Sequence, residues 1–449
     1  MKGIFATISN IFKIEELRQK LILTFVLLIV YRVGSYIVLP GVDADQLGKL
    51  ASAGGAGLFG LLNMFVGGSF GRASIFALGV MPYISASIAM QLLTMAVPYF
   101  QKMQKEGESG RKKINSYTRY LTVIVTAVQA IGYVTYLNSI AGNAITINPF
   151  WFVLSTMFVL TAGTVFCMWM GEKITDKGIG NGTSIIIMTG IMARLPFAMI
   201  AELNSRMAGT GGLLVFIVEL AVLVAIIMGV IMLVQGTRRI PVQYAKRVIG
   251  NKQYGGVRQF IPIRVNSAGV MPIIFAQAIM FVPSFVAQFF PESNFMQSIQ
   301  SGKFTQSFWY NLFFFLMVVV FTYFYTALII NPTQMADDMK RNNGFIPGVQ
   351  PGRPTADFID GVVSRITLPG SVFLALIAIL PALVGAFSVN SQFAGFYGGT
   401  SLLIAVAVML DTLQQIETHL LMQHYDGLMK GDSRIKGRYT VADEQAVNS

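Results

Sequence analysis

Ten apolar stretches, each about long enough to cross a bilayer as a helix, constrain the fold of this chain more than any other feature. A membrane-spanning helix needs about 20 predominantly apolar residues. Inside lipid only helices and closed barrels satisfy every backbone hydrogen bond, and stretches of this length are typical of helices. We therefore predict an all-α polytopic membrane protein with ten transmembrane helices. The stretches lie at residues 21–39, 74–99, 120–137, 150–170, 183–201, 213–235, 268–290, 308–330, 368–387 and 393–413.

Charge confirms the membrane class and fixes an orientation. Charged residues make up only 12% of the 449 residues, against about 25% in soluble domains. Of the 33 Lys and Arg residues, 27 fall in one set of segments, which the positive-inside rule assigns to the cytoplasm together with both termini. These segments are the basic amphipathic N-terminal segment 1–20, the loops 98–119, 171–182, 236–266 and 332–366, and the tail from 423.

A shorter apolar segment precedes the second stretch. It is apolar only from Leu58 to Val66, too short to span, and glycines flank it on both sides. We predict a re-entrant segment at 57–70 that rests inside protein and leads into an apolar helix at 75–91, with Pro82 at the centre of that helix. The alternative is an interfacial amphipathic loop before an ordinary membrane helix.

Motifs for catalysis are absent or misplaced. The chain has no Walker loop and no His-Glu-x-x-His zinc site. Residues 67–71 match the Gly-x-Ser-x-Gly pattern around Ser69, but the two histidines, His419 and His424, lie at the opposite side of the membrane. A base must come within about 3 Å of its nucleophile, so an intramembrane protease is not favoured. We predict no enzymatic activity, no cofactor and no metal site. The single cysteine, Cys167, excludes an internal disulfide.

Ionisable residues inside the stretches are few. Glu219 and Asp411 lie near the ends of their helices, and we interpret both as interface or packing residues rather than as a proton relay. The middle of the membrane is aliphatic. The element Gly-Val-Met-Pro occurs at 79–82 in the second stretch and at 269–272 in the seventh, which hints at two inverted repeats kinked around a central space.

Four isoleucines, Ile84, Ile187, Ile274 and Ile404, would form an apolar constriction if they face that space. The alternative for each of them is ordinary core packing. A secondary transporter with inverted repeats is the competing function on these observations.

Two long cytoplasmic loops are candidate docking surfaces. Loop 236–266 alternates apolar and polar residues at 239–243, which predicts a short strand or hairpin. Loop 332–366 combines charged residues with Pro and Gly turns, and loops this long are usually functional or disordered. We expect them to bind a large cytoplasmic partner, with basic tips that suit ribosomal RNA phosphates. The alternative is that the basic residues only contact anionic lipid.

Several segments together resemble the SecY family, whose members form the channel of the bacterial Sec protein translocase. The resemblance covers nearly the whole chain. It is carried by 31–41 (YRVGSYIVLPG), 73–94, 105–111 (KEGESGR), 178–182 (GIGNG), 244–247 (YAKR), 266–272, 325–328 (YTAL) with Asn331-Pro332, and 398–404 (GGTSLLI).

The resemblance implies a protein-conducting channel of two pseudo-symmetric five-helix halves, 21–203 and 204–422, with a tail at 423–449. Such a channel passes unfolded secretory polypeptides across the plasma membrane and releases transmembrane segments sideways into lipid, driven by SecA or the ribosome. The implied partners are the subunits SecE and SecG, the ATPase SecA, translating ribosomes, secretory preproteins, nascent membrane proteins, anionic lipids, SecDF and YidC.

The resemblance also assigns residues by position to four parts of the channel. The pore ring comprises Val80, Ile84, Thr183, Ile187, Ile274 and Ile404. The plug comprises Gly57, Leu58, Phe59, Leu61, Leu62, Asn63, Met64, Phe65, Val66, Gly67 and Gly68. A lateral gate, between the second and third spans on one side and the seventh and eighth on the other, comprises Ser87, Gln91, Thr94, Asn266 and Gln277. Partner docking falls to Arg238, Arg239, Lys246, Arg247, Arg258, Lys340, Arg341 and Arg353.

Two residues depart from the pattern of the family. Thr183 stands at a ring position that is usually aliphatic, which would loosen or wet the seal. Gln350 stands where an arginine is common, and we hypothesise that Arg353 replaces that arginine in coupling to SecA.

Overall fold

The computed structural model describes residues 15–43, 63–64, 66–141, 145, 147–209, 212–244, 247–249, 252–254, 258–289, 307–385 and 389–430. Some of the predictions fall outside the described residues. These are the N-terminal segment up to residue 14, the plug positions 57–62 and 65, Lys246, and the tail from 431.

Helices make up most of the described chain. In chain order they are α1 (Glu15–Gly34), α2 (Met81–Ala96), α3 (Pro98–Lys105), α4 (Glu108–Ala141), α5 (Pro149–Lys177), α6 (Gly182–Met192), α7 (Leu195–Met207), α8 (Gly212–Gln235), α9 (Met271–Phe289), α10 (Phe308–Ile329), α11 (Pro332–Arg341), α12 (Arg353–Gly385), α13 (Ser391–Ala394) and α14 (Gly399–Lys430). The all-α class is thereby confirmed.

Length and composition identify most of the predicted spans within the described chain. Seven helical segments are long and apolar enough to cross a membrane, and an eighth is added if α2 and α3, which meet at 97°, form one bent span. The remaining two predicted spans are occupied by α1 and by α9, whose apolar part 271–280 is shorter. The structure is consistent with ten spans, and the exact number stays a prediction.

The second span begins later than predicted. Residues 75–80 form turns and bends rather than helix, with 76–80 buried, and α2 begins at Met81. Gly79 has a φ of +53°, a conformation that interrupts a right-handed helix. Pro82 lies in the first turn of α2, where a missing N–H costs nothing, and not at the centre of a helix as predicted. It therefore does not kink the helix.

The matching element in the other half has the same local structure. Gly269 has a φ of +64°, and α9 begins at Met271, followed by Pro272. In both halves Gly-Val-Met-Pro begins a helix, so the expectation that it kinks the helices is corrected at both places.

Two segments predicted as cytoplasmic loops are largely helical. Segment 98–119 contains α3 and the first part of α4, and 332–366 contains α11 and the start of α12, which begins at Arg353 rather than near residue 368. These helix ends are polar, so hydropathy does not detect them. Helix α12 runs without a break from Arg353 to Gly385 although it contains Gly361 and Pro369.

The two long loops predicted to be cytoplasmic join through a small sheet. Its strands are β1 (Thr237–Tyr244), β4 (Arg258–Arg264) and β5 (Gly344–Phe345), in the order β4-β1-β5 and antiparallel throughout. Thr237 pairs with Arg264, and Gln243 pairs with Phe345. The predicted strand at 239–243 is confirmed. A second hairpin pairs β2 (Arg247–Ile249) with β3 (Lys252–Tyr254).

A separate apolar core lies beneath this sheet. Its residues come from both loops and from α11 and α12, so the two predicted docking surfaces form one folded unit, here called the cytoplasmic platform (β1, β4, β5, α11 and the start of α12). The buried members are Ile240, Val242, Ile263, Met339, Ile346, Ile359 and Val363.

The membrane helices pack around a larger core. Helix α4 contacts α2, α5 and α9, while α14 contacts α6, α8, α12 and α9. Helices α4 and α14 therefore each touch helices of both halves, and the residues predicted for the pore and plug lie between the two halves.

Candidate functional site

The described part of the predicted plug lies inside the protein. Met64 and all residues from Val66 to Phe70 are buried, and Asn63 is half-buried. The prediction of a segment at rest inside protein fits these positions, and an interfacial loop does not. The plug segment named below is the described part, Asn63–Met64 and Val66–Phe70.

Side-chain donors from neighbouring residues hold the backbone carbonyls of this segment. The guanidinium of Arg72 donates through Nη2 to the carbonyl of Gly67 at 2.8 Å and through Nε to that of Gly68 at 3.1 Å. Tyr133 of α4 donates to the carbonyl of Phe70 at 2.7 Å. Arg32 of α1 makes a longer bond of 3.4 Å to Gly67. The segment is thus tied to the N-terminal half.

Arg72 also rests on an aromatic ring. Its guanidinium carbon lies 4.1 Å from the centroid of the Tyr36 ring, and that of Arg32 lies 5.6 Å from the same centroid. A cation over an aromatic face is attracted by about 0.5–2 kcal/mol. Tyr36 therefore orients the Arg72 side chain toward the two carbonyls.

The glycine pair of the segment is required by its surroundings. A methyl group at Gly67 would lie 2.9 Å from Nη1 of Arg32 and 2.9 Å from Cα of Gly190 in α6, and one at Gly68 would lie 2.6 Å from Nη2 of Arg72. Both glycines also have positive φ, of +68° and +90°. A side chain at either place would push the turn away from α6 or from Arg72.

The plug segment also touches the other half. The Sδ atom of Met64 lies 2.7 Å from the position that a Cβ atom would take at Gly395, which follows α13. Cγ1 of Val66 lies 2.9 Å from the corresponding Cβ position at Gly79, just ahead of α2. The segment is therefore placed between the two halves, as a plug would be.

The predicted pore ring divides into two groups. Val80, Ile187 and Ile404 are buried, and Ile84 and Ile274 are half-buried against the same core. These five aliphatic residues lie on α2, α6, α9 and α14 or directly before them. Their assignment to a ring around a polypeptide path stays a prediction.

Thr183 lies in a different environment. Its Oγ1 is 3.1 Å from the position of a Cβ atom at Gly171, so the hydroxyl packs against α5 within its own half. We retain Thr183 as a predicted ring residue, but this contact gives no support for a hydroxyl that wets the seal.

The two sides of the predicted lateral gate are in contact. The Tyr325 hydroxyl of α10 donates to Oε1 of Gln91 in α2 at 2.7 Å, and α4 packs on α9. Thr94 is buried and donates to the backbone carbonyl of Gln91 at 2.7 Å, while Ser87 is half-buried. One polar bond thus joins the second span to the eighth.

Two further gate residues are buried amides. Asn266 and Gln277 are 7% and 6% exposed, and within the described chain Oδ1 of Asn266 and Nε2 of Gln277 have no hydrogen-bond partner. An unpaired buried polar atom costs roughly 1–3 kcal/mol. These atoms would gain partners from water or a peptide chain if the gate opened.

Six of the eight predicted docking residues lie on the cytoplasmic platform. The described side chains are exposed, namely Arg238, Arg239, Lys340, Arg341 and Arg353. Arg247 and Arg258 belong to β2 and β4, and Lys246 lies outside the described residues. Gln350 is exposed and lies three residues before Arg353 in the sequence. Its backbone carbonyl accepts a hydrogen bond from the Thr355 hydroxyl at 2.7 Å.

Sequence reasoning missed the residues that hold the plug and the gate. Tyr325 lies in the segment 325–328 (YTAL), and a tyrosine within an apolar span is a signal for a hydrogen bond. Arg72 is one of the six basic residues outside the segments predicted to be cytoplasmic. Its target is a pair of backbone carbonyls, and backbone acceptors leave no mark in a sequence.

Known proteins resemble this chain over nearly its whole length. Residues 74–413 match the sequence profile of the SecY family. The protein translocase subunit SecY of Thermotoga maritima is 44% identical over 444 residues, which cover 96% of this chain and 99% of the relative. The corresponding subunits of Streptomyces galbus and Aquifex aeolicus are 42% and 41% identical over 94% of this chain and 99% of their own length.

Solved structures show the same fold. A protein-conducting channel superimposes with a TM-score of 0.65 at 16% identity, covering 92% of this chain and 95% of that one. A SecY structure described for its plug domain gives 0.62 at 17% identity with the same coverage. Sec61 from a canine ribosome-channel complex gives 0.58 at 14% identity, again over 92% and 95%.

Proposed function

This chain belongs to the SecY family of protein translocase subunits, and we propose on that basis that it forms the path along which unfolded polypeptides cross a membrane. The observation that carries the proposal is the plug segment, which is buried between the two halves with Met64 against Gly395 and Gly67 against Gly190. A segment in this place closes a path that would otherwise run between the halves.

The seal and the plug have complementary roles in this proposal. The aliphatic ring residues Val80, Ile84, Ile187, Ile274 and Ile404 make a dry constriction that yields to a passing chain without binding it. Narrow apolar constrictions can block ions by excluding water. The plug is held by bonds that a passing polypeptide can break one at a time, because its carbonyls are bound by separate side chains.

The lateral gate has a single described polar bond between α2 and α10. Opening the seam would break the bond between Gln91 and Tyr325, at a net cost of about 1 kcal/mol. An apolar helix that enters the seam would replace the lost packing, whereas a polar segment would not. We therefore propose that sufficiently apolar segments leave sideways into lipid.

The energy for transport comes from partners in this proposal. The sequence carries no nucleotide-binding motif, and the cytoplasmic platform presents several exposed basic side chains on a folded unit, among them Arg238, Arg239, Arg264, Lys340, Arg341 and Arg353. We propose that SecA or a translating ribosome docks there, that SecE and SecG complete the translocase, and that SecDF and YidC act with it.

The charge distribution supports one orientation. With both termini in the cytoplasm and the chain in the plasma membrane, 27 of the 33 basic residues face the cytoplasm and anionic lipid headgroups. Translocated chains would then leave on the side of the membrane opposite the cytoplasm. Arg32, in the last turn of α1, and Arg72, just after the plug segment, lie on that side.

Reconstitution tests the proposed function. Vesicles that contain this chain with SecE and SecG are mixed with SecA, ATP and a secretory preprotein, and protease is then added outside. We expect a protected preprotein only in vesicles that contain the chain. A chain from which 57–70 is deleted should keep this activity and raise the resting ion conductance of planar bilayers. Lack of protection with correctly folded chain would favour the solute transporter, and unchanged conductance would refute the plug.

A further inference from the structure

Three charged side chains are buried together where α7, α8 and the segment before α13 meet. Nε of Arg206 lies 2.8 Å from Oε1 of Glu202, and Nη2 lies 2.6 Å from Oε1 of Glu219. The side chains of Arg206, Glu202 and Glu219 are 6%, 0% and 11% exposed, respectively. Glu219, interpreted from sequence as an interface or packing residue, is thus part of a buried ion-pair cluster.

Burial of these charges is costly, which makes the cluster a candidate for function. Two carboxylates face one guanidinium, and desolvation of ions can cost more than their attraction returns. Ionisable residues within membrane spans are rare and mark functional positions by default. The described ion pair Arg119–Glu172, with side chains 52% and 29% exposed, carries no comparable cost.

Glu202 uses its second oxygen to hold another part of the chain. Oε2 accepts the backbone N–H of Asn390 at 2.8 Å. Asn390 is the N-cap of α13: its side chain accepts the N–H of Gln392, and its carbonyl accepts those of Phe393 and Ala394. Glu202 therefore fixes the residue on which the whole turn of α13 depends.

The turn that Glu202 fixes, residues 390–395, is the surface against which the plug segment packs, and it is here called the wall. Gly395 follows α13 and is in contact with Sδ of Met64 in the plug segment. The carbonyl of Gly395 accepts the hydroxyl of Ser401 at 2.7 Å, at the start of α14, three residues before Ile404. A continuous series of contacts thus leads from Glu202 through Asn390 and Gly395 to the plug and to a ring residue.

We infer that Glu202 is a positioning residue, which holds the Asn390–Gly395 turn in place so that the plug can close against it. Arg206 orients the Glu202 carboxylate through the ion pair at 2.8 Å, and Glu219 holds the Arg206 guanidinium from its other side at 2.6 Å. The inference rests on the proposed function of the plug segment. It predicts that loss of the Glu202 carboxylate moves the wall away from Met64 without any change in the plug itself.

The test is the rate at which a disulfide forms between the plug and its wall. Met64→Cys and Gly395→Cys are introduced into the full chain, assembled with SecE and SecG. The native Cys167 is buried and does not compete. The disulfide is compared with and without Glu202→Gln. A glutamine has one acceptor oxygen and cannot serve both Arg206 and Asn390, as the carboxylate does.

We expect Glu202→Gln to slow disulfide formation at least about fivefold, the effect of one lost hydrogen bond of ordinary strength. Glu172→Gln is the matched control, because it breaks the exposed pair with Arg119, and it should leave the rate unchanged. An equal rate in Glu202→Gln and in the parent would overturn the inference. Absence of the disulfide in the parent would instead contradict the placement of the plug, so the two failures are distinguishable.

A second variant keeps the test valid if Glu202→Gln does not fold. Asn390 has a φ of −55°, which proline adopts without strain, so Asn390→Pro removes the N–H that Glu202 binds while all three charges remain. We expect it to slow the disulfide as well. Proline also lacks the capping oxygen, so Asn390→Ala, which lacks that oxygen but keeps the N–H, is the matched control and should slow the disulfide less than proline does; equal rates in the proline and alanine variants would overturn the inference.

Discussion

Replacement of Arg72 by glutamine tests how the plug is held at rest. Arg72 makes the shortest bond from a charged side chain to the plug, at 2.8 Å to Gly67, together with a bond of 3.1 Å to Gly68. It also lies over the Tyr36 ring. Glutamine is similar in reach but has no charge and no planar fork, so it can keep at most part of this arrangement.

The expected loss follows from these contacts. A hydrogen bond to a charged group contributes about 1.5–3 kcal/mol, and an aromatic contact of a partly exposed cation about 0.5–1 kcal/mol. Because Arg72 is only half-buried and glutamine can remake one bond, we expect the substitution to reduce the stability of the closed plug relative to the open plug by about 2 kcal/mol. That shifts the ratio of closed to open plug by about 30-fold.

Single-channel recording in planar bilayers measures this ratio directly. The chain is assembled with SecE and SecG and recorded without SecA or ribosomes, and the fraction of time spent conducting is compared between variants. Arg32→Gln is the graded control. Its bond to Gly67 is longer, at 3.4 Å, and its ring contact lies at 5.6 Å, so a loss of about 0.5 kcal/mol and a roughly twofold effect are expected.

Two results would refute this reasoning. A conducting fraction of Arg72→Gln equal to that of the parent would show that the carbonyl bonds do not hold the plug. An effect of Arg32→Gln as large as that of Arg72→Gln would show that general positive charge, and not hydrogen-bond geometry, is responsible.

Three further predictions concern the plug, the gate and the platform. Gly67→Ala should raise resting conductance, because positive φ costs alanine about 1 kcal/mol and its methyl group meets Arg32 and Gly190; a conductance as low as that of the parent would contradict the close fit. Tyr325→Phe removes the bond to Gln91 and should lower the free energy needed to open the gate by about 1 kcal/mol. In a series of inserted segments of increasing leucine content, less apolar segments should then be released laterally; an unchanged threshold would exclude the bond as a gate contact. Arg353→Ala should reduce SecA-driven translocation and Gln350→Arg should restore part of it in the same chain; no loss in Arg353→Ala would refute the compensation between these two residues.

The arrangement of the membrane segments could be predicted because lipid leaves few choices. Apolar length and basic loops identified the region of every described membrane helix, and alternation identified the strand at 239–243. Helix boundaries were less accessible. The start of α2 depends on the positive φ of Gly79, and the start of α12 lies in a polar segment that looks like a loop when only hydropathy is considered.

The site was predictable in outline only. Short length and glycines pointed to the plug, but its ties are made to backbone carbonyls, which every residue possesses. The pairing of Tyr325 with Gln91 joins residues 234 positions apart, and no spacing indicates it. The ion-pair cluster had one usable signal, since Glu202 and Arg206 are four residues apart on a helix, the spacing at which opposite charges meet.

The central claim is that a polypeptide passes between the aliphatic ring residues, and site-specific photocrosslinking tests it most directly. A photoreactive side chain is placed at Ile274 and, separately, at Ile84, while a secretory polypeptide is arrested midway through export. Met232 of α8, 74% exposed on the lipid-facing surface, provides the control position. We predict crosslinks to the arrested chain from both isoleucine positions and none from Met232. If neither isoleucine position captures the chain, while a soluble partner on the platform does, the ring is ordinary packing and the account is contradicted.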